Sequence, residues 1–214
     1  MTGGKALALE TWCRTEARQF TRFDYQGHGA SSGRFEDGTI GQWREDALAV
    51  LDEVTSGPQV VVGSSMGGWI ACLMAVARPE RIRAIVGIAP AVDFTQALLW
   101  PRLDADARRQ IEEEGVWLRP SVYDDGPYPI TKTLIEDGKS HLLMPGPIPF
   151  KGPVRLIHGM QDDAVPWEHS LRIADAMESE DVEIALVKDG EHRLSRDADL
   201  ARLISAVANV VNGD

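Results

Sequence analysis

Apolar and polar positions follow two rhythms along the chain. Short apolar runs that read as buried strands alternate with stretches whose apolar residues recur every three to four positions, as on one face of a helix. The first such stretch runs from Lys5 to Gln19, with Ala6, Leu7, Leu9, Trp12 and Cys13 on one side. Phe20 to Tyr25 reads as a short strand, and Gln26 to Gly38, rich in Gly and Ser, as a loop. Thr39 is the expected N-cap of a helix over Ile40 to Val54, where Trp43, Ala47, Val50 and Leu51 keep helical spacing. Gln59 to Gly63 predicts a buried strand, Met66 to Ala77 a helix of small and apolar residues ended by Arg78-Pro79, and Ile82 to Ile88 another strand.

The alternation breaks from about Phe94 to Phe150. This segment holds many prolines, Trp100 and Trp117, and an acidic helical stretch from about Asp104 to Gly115. It is too long for an ordinary connection and reads as an insert packed over one end of a sheet. The rhythm then resumes: strand Val154 to Ile157, helix Trp167 to Met177, strand Val182 to Val187, and a closing helix Asp197 to Val211. Strand and helix in alternation predict an α/β fold, a mostly parallel sheet flanked by helices. Residues 1–93 and 151–214 form its core and residues 94–150 a lid or cap.

Composition narrows the partners. The chain has 214 residues, enough for one domain with an insert at about 150 residues per domain. With 22 Lys and Arg against 33 Asp and Glu, the net charge is −11, the wrong sign for a nucleic-acid backbone or an anionic membrane surface. No run approaches the length of a membrane span, and no secretory signal opens the chain. Cys13 and Cys72, both in helical stretches, read as reduced core thiols, so the cytoplasm is the default compartment. No His or Cys pair has metal-ligand spacing, and no metal or cofactor is assigned. Glu112, Glu113 and Glu114 read as a solvated helix face.

One motif carries chemistry. Gly63-Ser64-Ser65-Met66-Gly67 follows the strand Gln59–Val62 and opens the helix at Met66. Gly-x-Ser-x-Gly between strand and helix is a nucleophile elbow: the turn thrusts the central side chain clear of the sheet, and small residues on either side let strand and helix approach. Ser65 is the candidate nucleophile; Ser64 sits at the wrong place in the motif. The helix N-terminus, with the Met66 N–H, faces negative charge developing beside the serine. A serine hydroxyl needs a base, usually a histidine oriented by a carboxylate, and in this architecture the chain order is Ser, acid, His. Asp162 lies where a strand gives way to a loop, with Asp163 its neighbour and competitor. His192 follows the last strand, in Asp189-Gly190-Glu191-His192-Arg193. His28 sits in the Gly-rich loop, His141 in the insert, His169 in a helix, and His158 ends a strand, where structural hydrogen bonds are expected. Leu143, Trp100 and Trp117 are candidates to line an acyl pocket, the alternative being that they only pack the insert on the sheet.

Three stretches together resemble the α/β-hydrolase superfamily: Phe23-Asp24-Tyr25-Gln26-Gly27-His28-Gly29-Ala30-Ser31, the elbow with Gly68-Trp69, and His158 through Trp167. Gly4-Lys5-Ala6-Leu7-Ala8 and Gly41-Gln42-Trp43-Arg44 add similarity to a branch of mitochondrial esterases that hydrolyse acyl-glucuronides and protein S-palmitoyl thioesters, with bacterial relatives. The resemblance implies Ser65, Asp162 and His192 as a triad and a small-to-medium acyl ester or thioester as substrate. It also implies a strand and a loop ahead of the first helix, the loop giving the second oxyanion N–H. Met1-Thr2-Gly3-Gly4 resembles only the end of that loop, so this strand, placed between those near Phe23 and Val61, is expected to be missing. Either the natural chain is longer, with a mitochondrial address open to it, or re-pairing, a loop or a partner chain fills the gap, which leaves a homo-oligomer open. The alternatives to a serine esterase are a silent or truncated member of the fold that binds without turnover, and a C–C bond hydrolase or lyase using the same triad.

Overall fold

The computed structural model describes residues 2–120 and 126–213. Its centre is a four-stranded parallel sheet built from β1 (Gln59–Ser64), β2 (Ile82–Ile88), β5 (Val154–Gly159) and β6 (Val182–Val187), in that spatial order. The register sets Ser64 beside Ile88, Ile88 beside Ile157, and Gly159 beside Val187, so the strands end close together at one edge. Successive side chains of a strand point to opposite faces. Ile85, Val154 and Leu156 therefore meet α2 (Ile40–Ala49), α3 (Met66–Ala77) and α6 (Glu168–Ala176), where Trp43, Trp69 and Ile173 are buried. Ala84, Val86, Ile88 and Ile157 meet α1 (Gly4–Thr15) and α7 (Asp197–Asn212) through Leu9, Leu203, Val207 and Val210. Both cysteines are free and buried. Among the described residues no helix is long and apolar enough to cross a membrane.

Most elements fall where the pattern places them, and the differences have local causes. α1 stops at Thr15 rather than Gln19: Ala17 turns to φ 53° and the Arg18 N–H returns to the Cys13 carbonyl, a Schellman-type ending. The helices expected to reach Val54 and Gly115 each finish in one wider turn, Val50–Val54 and Gln110–Glu114, the second stopped by Gly115 at φ 84°. Thr39 caps α2 through its side chain, as expected, and Asp104 caps α4 (Ala105–Arg109) in the same way.

Phe20 to Tyr25 is not a strand. The segment belongs to no ladder, because no strand lies alongside it among the described residues. Between it and the outer edge of β1 lies a cavity of about 830 Å3, lined on one side by Phe20, Phe23 and Tyr25 and on the other by Val60, Val62 and Ser65. The gap expected between the stretches near Phe23 and Val61 is thus open space, and the amides of β1 that face away from β2 look into it.

Residues 94–150 carry structure that hydropathy alone did not indicate. α4 is followed by an antiparallel hairpin, β3 (Val116–Arg119) with β4 (Tyr128–Thr131), and by α5 (Lys132–Lys139). Leu99, Leu103, Ala107, Ile111, Ile130 and Ile135 form a separate small core inside this segment. Two short strands, one holding a proline, give no long periodic run to read.

His169 of α6 ties the sheet to the segment after β2. It is fully buried; its Nε2–H donates to the Val92 carbonyl at 2.8 Å, and its Nδ1 accepts from Arg172 at 3.1 Å. Desolvation pushes its pKa down to about 4, the Arg172 charge adding to the effect and the Val92 bond opposing it. The unfolded chain, with a histidine pKa near 6.5, binds this proton first. Stability is therefore whole above about pH 6.5 and falls as the pH drops toward 4, by up to about 3 kcal/mol from this group. Urea midpoints measured from pH 7.5 to 4.5 should decline over that window, and His169→Gln, which keeps a donor for Val92, should decline less. Parallel declines would remove His169 as the cause.

Candidate active site

The site lies where β1, β5 and β6 end. β1 passes into α3 through Ser65, which holds φ 53° and ψ −120°, a conformation that L side chains rarely adopt. Two bonds to the neighbouring strand's exit impose it: the Ser65 N–H donates to the Ile88 carbonyl at 2.9 Å, and the Ser65 carbonyl accepts from the Ala91 N–H at 3.0 Å. The flanking glycines are there for space. A Cβ on Gly63 would sit 2.1 Å from the Gly67 carbonyl oxygen, and one on Gly68 2.6 Å from Pro90 Cβ. Met66 is the first residue of α3, so its N–H has no acceptor within the helix and lies beside the Ser65 side chain.

Asp162 follows β5. Its side chain is fully buried, and its Oδ1 accepts from the Ala164 and Val165 N–H groups at 2.9 and 2.8 Å. His192 stands in the loop after β6. Gln161 N–H donates to the Gly190 carbonyl, which seats this loop on the one carrying Asp162, and Gly159 and Gly190 pack backbone to backbone. The His192 ring joins the other two: Nδ1 lies 2.7 Å from Asp162 Oδ2, and Nε2 lies 3.1 Å from Ser65 Oγ. A carboxylate only accepts, so Nδ1 carries the proton and Nε2 is left to accept from the serine. Burial raises the pKa of Asp162, but hydrogen bonds from His158, His192 and the Val165 N–H outweigh it and hold the carboxyl well below the usual carboxylate range. The carboxyl is thereby held in its charged form.

Ser65, Asp162 and His192, at 127 and 30 residues' separation along the chain, are brought together. Asp163 is exposed and takes no part in this network. Trp100 and Trp117 pack in the small core of the insert, with the Arg108 guanidinium 5.6 Å from the Trp100 ring centroid. Leu143 packs toward the core around α3. None of the three lines the cavity that opens at Ser65. Tyr25 and His28 do, in a cluster where the His28 ring meets Tyr25, Phe35 and Trp43. Both belong to the Gly-rich stretch Tyr25–Gly29, whose motif was legible without showing what it faces. Among the described residues no three His, Cys, Asp or Glu side chains converge as metal ligands do.

A Ser-His-Asp constellation on the ends of parallel strands, with the serine on a strained strand-to-helix turn, defines an α/β-hydrolase. Comparison with known proteins agrees, and the chain belongs to that family: residues 12–121 match the hydrolase family model described as serine aminopeptidase, S33. It is 42% identical, over 99% of its own length and 69% of the relative's, to a protein of Bos taurus named palmitoyl-protein thioesterase ABHD10, mitochondrial. Among solved structures, mouse alpha/beta hydrolase domain-containing protein 10 superposes with a TM-score of 0.91 at 42% identity, covering 99% of this chain and 85% of that one. A structure from Agrobacterium vitis S4 does so with 0.95 at 40% identity, covering 99% and 83%. The chain is thus a hydrolase of the α/β-hydrolase family.

The elbow makes a packing prediction. Gly63→Ala forces a methyl group against the Gly67 carbonyl, where backbone must move. Overpacking of this kind costs about 1–3 kcal/mol, so the melting temperature should fall by several degrees. An unchanged melting temperature would show that the elbow is looser than described.

Proposed function

We propose that the protein hydrolyses carboxylic esters and thioesters of small-to-medium acyl groups through an acyl-enzyme. The observation that carries this reading is the unbroken hydrogen-bonded line from Ser65 Oγ through His192 to the buried, charged Asp162. Ser65 Oγ attacks the acyl carbonyl while its proton passes to His192 Nε2. Asp162 holds the imidazole in the tautomer that can accept this proton and stabilises the imidazolium formed. The carbonyl oxygen, now negative, faces the Met66 N–H and the N-terminus of α3. Collapse of the tetrahedral intermediate expels the alcohol or thiol, which takes the proton from His192. Water then attacks the acyl-enzyme with His192 again as base, releasing the acid and restoring Ser65.

The thioester half of the proposal draws on the printed activity of the relatives. It also fits the chemistry, since a thiol with pKa near 8.5 leaves more readily than an alcohol. Residues 94–150 act as the cap in this reading, and Trp100, Trp117 and Leu143 pack it rather than line the space beside Ser65. The relatives' printed names place them in the mitochondrion; for this chain that compartment and the cytoplasm are both open.

Hydrolysis of 4-nitrophenyl butyrate and of an S-palmitoyl thioester, followed for wild type and Ser65→Ala, tests the proposal. Wild type should exceed the variant at least about 10³-fold in kcat on one or both substrates. Equal background rates would favour a protein of this fold that binds without turnover.

A further inference from the structure

The Asp162 carboxylate is held by more than the residues of the triad. His158, the last residue but one of β5, is fully buried and reaches it as well. Its Nε2 lies 3.3 Å from Asp162 Oδ2 and 3.0 Å from the Val165 carbonyl. Its Nδ1 lies 2.7 Å from Oγ of Ser170, a fully buried residue of α6. These contacts fix the tautomer. Nε2 faces a carboxylate and a carbonyl, neither of which donates, so Nε2 carries the proton and Nδ1 accepts from the Ser170 hydroxyl. An imidazole and a hydroxyl taken wholly out of water are costly unless bonded, and a packing role alone would be met by apolar side chains.

Four nitrogen groups then surround the Asp162 carboxylate. Oδ1 takes the backbone N–H groups of Ala164 and Val165; Oδ2 takes the ring N–H of His192, and the Nε2–H of His158, which bonds the Val165 carbonyl, lies 3.3 Å from it. Without His158, Oδ2 would keep only the donor it is meant to orient. We propose that His158, itself oriented by Ser170, is a positioning residue that fixes the Asp162 carboxylate for His192. The arrangement is a Ser170–His158 pair behind the aspartate facing the Ser65–His192 pair in front of it. No proton moves through the rear pair, whose part is to hold the carboxylate in place.

This inference rests on the triad reading above, and the test separates the two. His158→Leu removes the donor at similar bulk; His158→Gln keeps an N–H near the Nε2 position; Ser170→Ala frees the ring to change tautomer. Each is assayed with 4-nitrophenyl butyrate beside Ser65→Ala. His158→Leu should lower kcat at least about tenfold with KM within twofold, the pattern of a misplaced catalytic group. His158→Gln should recover most of the loss, and Ser170→Ala should fall between. The downfield proton resonance of the His192–Asp162 hydrogen bond should shift or broaden in His158→Leu and return in His158→Gln. A melting curve shows which variants fold, and if His158→Leu does not, His158→Gln and Ser170→Ala decide alone: Ser170→Ala must lose kcat, and His158→Gln must stay closer to wild type than Ser170→Ala does. Wild-type kcat and resonance in a folded His158→Leu or in Ser170→Ala overturn the proposal while Ser65→Ala remains inactive. Activity retained by Ser65→Ala would instead overturn the triad reading itself.

Discussion

A carboxylate buried beneath two histidines governs the geometry of this site. Asp162 is wholly removed from water yet charged, which is tolerable only while its oxygens are saturated with donors. Those donors come from the turn after β5, from β5 itself and from the loop after β6. A parallel sheet makes this possible, because all its strands end at one edge and their exit loops converge there. The demand of one carboxylate for partners therefore fixes the conformation of two loops. His192 takes its place in front of Ser65 as a consequence.

The nucleophile is held by a second set of constraints, and these reach into the insert. The Ser65 backbone is bound on both sides to the exit of β2, at Ile88 and Ala91. Two residues further on, buried Asp93 accepts from the Leu143 and Met144 N–H groups at 2.9 and 2.8 Å. Trp69, one turn into α3, donates its indole N–H to the His141 carbonyl at 3.1 Å and packs its ring edge-on against Phe94. Residues 141–144 are thus fastened to both the helix and the loop that place the serine. The insert also meets the loop of the acid, since Arg102 donates to the Ala164 carbonyl at 2.8 Å, while Leu103 and Ile111 belong to its own small core.

The other wall of the site has a different character. The cavity beside Ser65 runs along the outer edge of β1, so its lining mixes apolar side chains with backbone amides that face no strand among the described residues. Such groups need water or a hydrogen-bonding partner, and a hydrocarbon chain offers neither. Space next to a nucleophile is therefore a weak guide to where an acyl chain lies.

How much was legible in the sequence depended on how local the cause was. The elbow could be read because its glycines answer contacts between residues four apart, such as Gly63 with Gly67. Asp162 and His192 could be nominated because each follows a strand, and parallel strands bring such positions to one edge. The β-pattern near Phe20 misled, since a strand exists only if another lies beside it, and pairing is not written in either segment. The hairpin in the insert was missed because four-residue strands carry too little period. His158 shows the limit most clearly. Its spacing to Asp162 was in plain view, but what turns a buried strand-end histidine toward that carboxylate is Ser170, on a helix the strand meets only in three dimensions. The chain alone determined which residues have the chemistry and the order in which they come. The tertiary structure decided which of them touch, because hydrogen bonds of three ångströms are set by how separate elements pack and not by distance along the chain.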